Sequence, residues 1–235
     1  MVMGPWDIPM YTPSMVGRLA GLTLGKTRRW LRGYEYDYAT SGSIYTVHKS
    51  PVVRRSDKAD DNYASFLDLI ELLFIKKFLD HGISLQNLRK ALNEADKLLK
   101  GLHHFARQRF FTNGRSIYLQ IKDSNQSESL MELLSGGQWV IVPIIKQLAH
   151  QIDFDALTGY ARKWYPLGQK ERIVLDPNIS FGRPSLVNRG IPTAVIYDAF
   201  LGESENHKRV SSWMNISDQE VESAVKFERQ LANAA

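Results

Sequence analysis

A chain of 235 residues with 43% hydrophobic and 23% charged residues lies in the globular range and has room for one large domain or two to three small ones, at roughly 100–150 residues each. It has no cysteine, which excludes disulfide frameworks, thiol catalysis and Cys-built zinc sites and fits a reducing interior. The longest uncharged run, 133–145, contains Gly136, Gly137 and Pro143 and is too short to cross a bilayer. The N-terminus shows no basic stretch leading into an apolar one, so no secretory signal and no membrane partner are expected; the cytoplasm is the expected location.

The net charge of +5 is unevenly placed. Residues 1–56 hold eight Lys/Arg against three acids, leaving 22 basic and 22 acidic residues for the rest. A basic segment on a neutral body points to nucleic-acid contact. Thr12-Pro13 predicts a helix start, and Val16, Leu19 and Ala20 share one face of that helix. Gly21-Leu22-Thr23 reads as a turn. A second helix is predicted over Leu24 to Arg32, with Leu24, Thr27, Trp30 and Leu31 facing inward. Lys26, Arg28, Arg29 and Arg32 are then left facing outward. Two short helices around a Gly-containing turn, the second one basic, form a helix-turn-helix. Tyr34–Tyr38 and Ser43–His48 predict a hairpin, a wing followed by Lys49, Arg54 and Arg55 as phosphate contacts. The same stretch, 20–27, also matches a relaxed phosphate loop, and 173–176 resembles an apolar strand ending in a magnesium-binding Asp. That chemistry needs a buried strand feeding the loop, and the preceding residues are spaced as a helix.

Ser65 to Leu79 predicts a central helix, since only Asp68 and Glu71 interrupt the apolar run Phe66–Ile75. Ser84 opens another helix, with Leu85, Leu88, Leu92, Ala95, Leu99 and Leu102 in steps of three and four. This seam fits packing on the preceding helix, and a dimer contact stays open beside it. Phe105–Phe111 and Ser116–Ile121 flank Asn113-Gly114 and predict a β-hairpin. A second hairpin is predicted over 130–142, leading into a short helix up to His150. Strands are expected over 156–164 and 172–175. Together these give a small middle sheet. Beyond it, helices are predicted from Thr193 to Leu201, from Asn206 to Met214, and after the capping box Ser217–Glu220, with Val221, Ala224, Val225 and Leu231 as the apolar side of the last. The expected fold is therefore α+β: a winged helix-turn-helix over 1–102, a β-rich connection over 103–170, and a three-helix, helix-turn-helix-like bundle over 171–235.

No catalytic constellation emerges. Adjacent His103 and His104 point in different directions and cannot share a metal. Asp153-Phe154-Asp155 begins like a calcium loop but meets Thr158 and Trp164 where Gly and Glu are required. No enzyme, no metal and no cofactor is expected.

The stretch from Tyr11-Thr12 to Trp30-Leu31-Arg32-Gly33-Tyr34, the 66–79 helix and the Gly82-Ile83-Ser84-Leu85 helix start resemble the MerR-like winged-helix domain of long VapB-type antitoxins. The motifs Leu175-Asp176-Pro177, Phe181-Gly182-Arg183-Pro184 and Gly190-Ile191-Pro192-Thr193 resemble a C-terminal domain of unknown function that recurs in antitoxins beside PIN-domain toxins. Shorter relatives carry Gly-Thr-Arg where this chain has Asn188-Arg189-Gly190. The resemblance implies a homodimer that represses its own operon by binding operator DNA and neutralises a PIN-type ribonuclease. It places Lys26, Arg28, Arg29 and Arg32 on the DNA, and it makes Arg183 and Arg189 candidates to face the toxin's carboxylate cluster. A stand-alone MerR-like regulator sensing a small ligand and a phosphate-loop nucleotide-binding enzyme are the alternatives.

Overall fold

The computed structural model describes residues 4–40, 42–55, 62–98, 101–107 and 147–233. The chain is α+β, with helices and three two-stranded antiparallel ladders among the described residues. Helix α1 spans Pro13–Ala20, and the Thr12 hydroxyl accepts from the Met15 N–H at 3.2 Å as its cap. Helix α2 spans Leu24–Arg32 and is capped in the same way, with the Thr23 hydroxyl accepting from the Lys26 N–H at 3.4 Å. Thr27, Trp30 and Leu31 are buried, but Leu24 is 40% exposed and turns outward, contrary to expectation. It is the first residue of its helix, where the chain has not yet turned onto α1.

Strands β1 (Tyr34–Thr40) and β2 (Ser43–Lys49) pair in register from Tyr34 opposite Lys49 to Thr40 opposite Ser43. The ladder is longer than the pattern predicts. Gly33 makes the corner from α2 into β1 with φ +76, and a Cβ there would collide with the Lys49 carbonyl. After the hairpin, the N–H groups of Val52 and Val53 donate to the Trp30 carbonyl at 2.8 and 3.1 Å, which ties the root of the hairpin to the end of α2.

Helix α3 (Phe66–Asp80) is the central element, and α1 and α2 both pack on it. Its N-terminus is a capping box: the Ser65 hydroxyl accepts from the Asp68 N–H, and the Asp68 carboxylate accepts from the Ser65 N–H at 2.8 Å. Helix α4 (Leu85–Leu98) buries Leu88 and Leu92. The predicted seam stops short of Leu102, which lies in a bend beside Gly101, outside the helix. His104–Ala106 then form a single 3-10 turn, so Phe105 does not begin a strand as expected. Its ring packs on Phe78 instead, with centroids 5.1 Å apart. The predicted hairpins around Asn113-Gly114 and Gly136-Gly137 lie outside the described residues.

Strands β3 (Ile152–Phe154) and β4 (Ala161–Trp164) pair antiparallel, and Trp164 bridges to Leu175. Residues 156–160 form the turn between β3 and β4, where a strand was expected: the Asp155 carboxylate accepts from the Leu157 and Thr158 N–H groups and from the Thr158 hydroxyl. Strands β5 (Ile173–Val174) and β6 (Ser185–Leu186) make the third ladder. Helices α5 (Thr193–Gly202), α6 (His207–Met214) and α7 (Asp218–Asn233) follow, with α7 packed on α5 and α6. Ser217 and Glu220 form the expected capping box, and Val221, Ala224, Val225 and Phe227 are buried. Helix α7 also touches α1, and the Tyr11 hydroxyl donates to the Gly182 carbonyl at 2.8 Å. One buried cluster thus runs from Tyr11 to Phe227.

Candidate nucleic-acid interface

The α1–α2 pair and the hairpin present one continuous surface, and its chemistry follows from what each helix buries. Because Thr27, Trp30 and Leu31 face α1 and α3, the intervening Lys26, Arg28, Arg29 and Arg32 are all exposed. No carboxylate of the described residues lies within salt-bridge distance of any of them. Two are steadied by aromatic faces instead: the Lys26 ammonium lies 5.7 Å from the Trp30 ring and the Arg29 guanidinium 5.6 Å from the Tyr34 ring. The helix therefore carries four cations with uncancelled charge on one side, an arrangement that attracts a polyanion.

The hairpin adds a second layer. Every residue of β1 is exposed and β2 is nearly so, which leaves both faces of the ladder open to solvent. The register puts Tyr34, Tyr36, Tyr38, Tyr45, Val47 and Lys49 on one face, and Glu35, Asp37, Thr46 and His48 on the other. On the acidic face, Glu35 pairs with His48 at 2.9 Å and Asp37 accepts from the Thr46 hydroxyl at 2.6 Å. Sequence reasoning missed the tyrosines, although their spacing of two within a predicted strand was the available signal.

The structure removes two expected phosphate contacts from this surface. Arg55 does not project from the hairpin. Its side chain is only 8% exposed, its Nε lies 3.1 Å from an Asp68 carboxylate oxygen, and it donates to the Tyr63 carbonyl at 2.5 Å. The reason is electrostatic: Asp68 sits in the apolar first turns of α3 with its side chain 3% exposed, and a buried carboxylate requires a partner. Arg54 is likewise turned inward, 3.1 Å from Asp96 and bonded to Asn93 of α4. Lys49 is exposed at the base of the aromatic face. Arg89 of α4 braces the same base by donating to the Pro51 carbonyl at 3.2 Å.

Behind this surface lies a layer of buried polar groups. Burial pushes the Glu71 carboxyl up to about 8, even though it accepts from the N–H groups of Phe105 and Ala106 at 2.7 and 3.1 Å. His103 stands 3.7 Å from Asp7 and 3.8 Å from Asp68, and His104 meets Asp96 at 2.6 Å, so the two imidazoles diverge. Burial lowers both below the ordinary histidine range. Among the described residues no group of three or more acids and histidines is placed to hold a metal ion.

The phosphate-loop alternative fails on geometry. Residues 20–27 are the end of α1, a left-handed Gly21 and the capped start of α2, so a helix and not a strand leads into them. Residues 173–174 form a short strand whose following Asp176 bonds Asn178 and pairs with Lys163 at 3.3 Å.

At the other end of the molecule, Arg183 is exposed beside Phe181, which is 81% exposed and held outward at φ +56. Arg189 is engaged internally: its guanidinium lies 3.2 Å from Glu220 and donates to the Asn215 carbonyl at 2.9 Å. That clamp anchors the start of α7 and holds Arg189 within the chain, with 43% of its side chain still exposed.

No family model matches the chain. It is 25% identical over 202 residues to a Mycobacterium tuberculosis protein named "Putative antitoxin VapB45", covering 80% of this chain and 81% of that one. It is 34% identical over 136 residues to an uncharacterized HTH-type transcriptional regulator, Rv1830, of the same organism. That match covers 58% of this chain and 52% of the relative, so it spans about half the length of the regulator. The crystal structure of Rv2018 from Mycobacterium tuberculosis shares the fold with a TM-score of 0.68 at 19% identity, over 94% of this chain and 99% of that one. Similarity thus runs to proteins named as antitoxin and as helix-turn-helix regulator, and no described helix is long and apolar enough to cross a membrane.

Proposed function

We propose that this chain is a cytoplasmic DNA-binding antitoxin: a homodimer that binds its own operator and holds a PIN-type ribonuclease inactive, working by binding rather than catalysis. The observation that carries the DNA half is the α2 surface, where four cations stand exposed with no acidic partner among the described residues. In this reading α2 enters the major groove and the hairpin lies along the flanking backbone. With about three to five phosphates neutralised per protomer, log affinity falls against log salt with a slope on the order of −5 to −9 for the dimer. The operator is an inverted repeat with half-sites about one helical turn apart, roughly 34 Å or a multiple. The antitoxin half draws on the similarity to a protein named as an antitoxin and on the exposed Phe181 and Arg183 of the C-terminal unit.

Gel-shift titration of the full chain on the DNA upstream of its own gene, from about 0.05 to 0.2 M salt, tests the first half. A flat salt response refutes it. Co-expression with the product of the adjacent gene, followed by copurification and a ribonuclease assay, tests the second. DNA binding without any nuclease partner favours a second reading, a stand-alone transcriptional regulator, which the 34% identity to a protein named as one supports.

A further inference from the structure

We propose that the tyrosine face of the β1–β2 hairpin is itself a duplex contact, made by neutral phenol hydroxyls on the phosphate backbone and not by the wing cations. This rests on the DNA-binding reading of α2. Four tyrosines share that face, each 39–48% exposed, and no described element covers them. They are ordered in pairs: the rings of Tyr34 and Tyr36 stack at 6.1 Å between centroids and 26°, and those of Tyr38 and Tyr45 at 5.5 Å and 24°. Stacking restrains the rings against each other while the side chains stay part-exposed, so less ordering is left to be lost when a ligand arrives.

Three observations select a polyanion as the occupant. First, the face is continuous with the cationic helix, since Arg29 lies over Tyr34 and Lys49 is its cross-strand partner. Second, both carboxylates of the hairpin, Glu35 and Asp37, are confined to the opposite face, where His48 and Thr46 engage them. A duplex therefore meets the ladder from one side only. Third, the two cations that follow the hairpin, Arg54 and Arg55, are committed to Asp96 and Asp68, which leaves the phenols as the hairpin's main hydrogen-bond donors beyond Lys49. Seven residues per strand, at about 3.3 Å each, give the ladder a reach of about 23 Å, enough to run from the groove that α2 occupies onto the neighbouring backbone.

A neutral donor releases no counterion when it bonds a phosphate, so its share of the affinity does not depend on salt. That property separates the tyrosines from the arginines in one experiment. The full chain and its Tyr36→Phe/Tyr38→Phe/Tyr45→Phe variant are titrated by fluorescence anisotropy against a labelled 30-base-pair duplex at several salt concentrations. Each lost neutral hydrogen bond is worth about two- to tenfold, so the variant binds at least about tenfold more weakly at every salt, on a line parallel to wild type. The rings remain, so the fold and any self-association through this face are kept, which melting and sedimentation verify. Wild-type affinity in the variant overturns the proposal while leaving the α2 reading intact. A change of slope also overturns it, because the loss then lies in charged contacts. Tighter binding of an unpaired 30-mer than of the duplex, unaffected by Phe, reassigns the face to base stacking. Failure of wild type to bind any duplex overturns this proposal and the α2 reading together.

Discussion

Two regions of the chain, α1–α3 with the β1–β2 hairpin and the stretch from 171 to the end of α7, treat their surface charge differently. In the C-terminal region most cations meet acids of the same region: Arg209 with Glu203 at 3.4 Å, Arg229 with Glu205 at 2.9 Å, Lys226 with Glu171 at 2.8 Å, and Arg189 with Glu220 at 3.2 Å. On α2 the four cations face solvent, and two of them rest on aromatic rings. Exposed ion pairs such as Arg209–Glu203 and Arg229–Glu205 contribute only about 0–1 kcal/mol each, so the difference on the outer surface is not one of stability. It lies in the field each region projects: one meets most of its cations with acids, and the other leaves the cations of α2 available to an anion.

The largest expected effect tests how the N-terminal unit treats charge in its interior. Asp68→Ala strands the Arg55 guanidinium and removes half of the α3 capping box, and urea unfolding should show a loss of about 3–5 kcal/mol. Acid-dependent stability should then separate the two units by sign. Glu71 is held neutral by burial, with a folded value of about 8 against its ordinary 4.5. Its contribution is complete below about pH 4.5 and is lost as pH rises toward 8. Glu71→Gln, which keeps the acceptor for Phe105 and Ala106, should flatten the fall in melting temperature between pH 5 and 8. Glu220 runs the other way: burial raises its carboxyl, but the Ser217 N–H and hydroxyl and Arg189 outweigh that and leave it lowered. Its contribution is present above its ordinary value of 4.5 and is lost as pH falls below that, so Glu220→Gln should matter least under acid conditions.

A smaller effect probes the outer surfaces directly. Arg28→Ala with Arg29→Ala should weaken operator binding by about 10- to 100-fold at about 0.15 M salt and reduce the salt slope by about two per protomer, with circular dichroism unchanged. The matching pair in the other unit, Arg209→Ala with Arg229→Ala, should leave DNA affinity within about twofold. Equal losses from both pairs would erase the distinction. The smallest effect belongs to the contact between the units: Tyr11→Phe removes the bond to Gly182 and should cost about 0.5–1.5 kcal/mol in urea unfolding.

Local signals carried much of this architecture. Thr12, Thr23 and the Ser217–Glu220 box mark helix starts that need no tertiary information, and each is where the spacing places it. Pairing between distant charges was not legible. Arg55 reads as a wing residue until Asp68, thirteen positions on, is known to be buried and in need of a cation. That need was itself visible, since Asp68 and Glu71 alone interrupt the apolar run Phe66–Ile75. Arg189 is the same case, claimed by a capping-box glutamate. The open tyrosine face was hidden for another reason: alternation in a strand predicts a half-buried sheet, and no described element packs against this ladder.

The bond between Tyr11 and Gly182 spans 171 positions of sequence, and it has a consequence for synthesis. A Cβ at position 182 would strike the Tyr11 phenol and the Met10 sulfur, so the two segments meet closely enough that only glycine fits. Tyr11 precedes the cap of α1 and bridges to Ala64 at the start of α3. A chain growing from its N-terminus at about 5–20 residues per second exposes this phenol without its acceptor until residue 182 has left the ribosome. Helices α1 and α2 therefore acquire their final brace some ten to thirty seconds after they emerge, by the same translation rate, and a message cut before that codon yields an N-terminal region that lacks it.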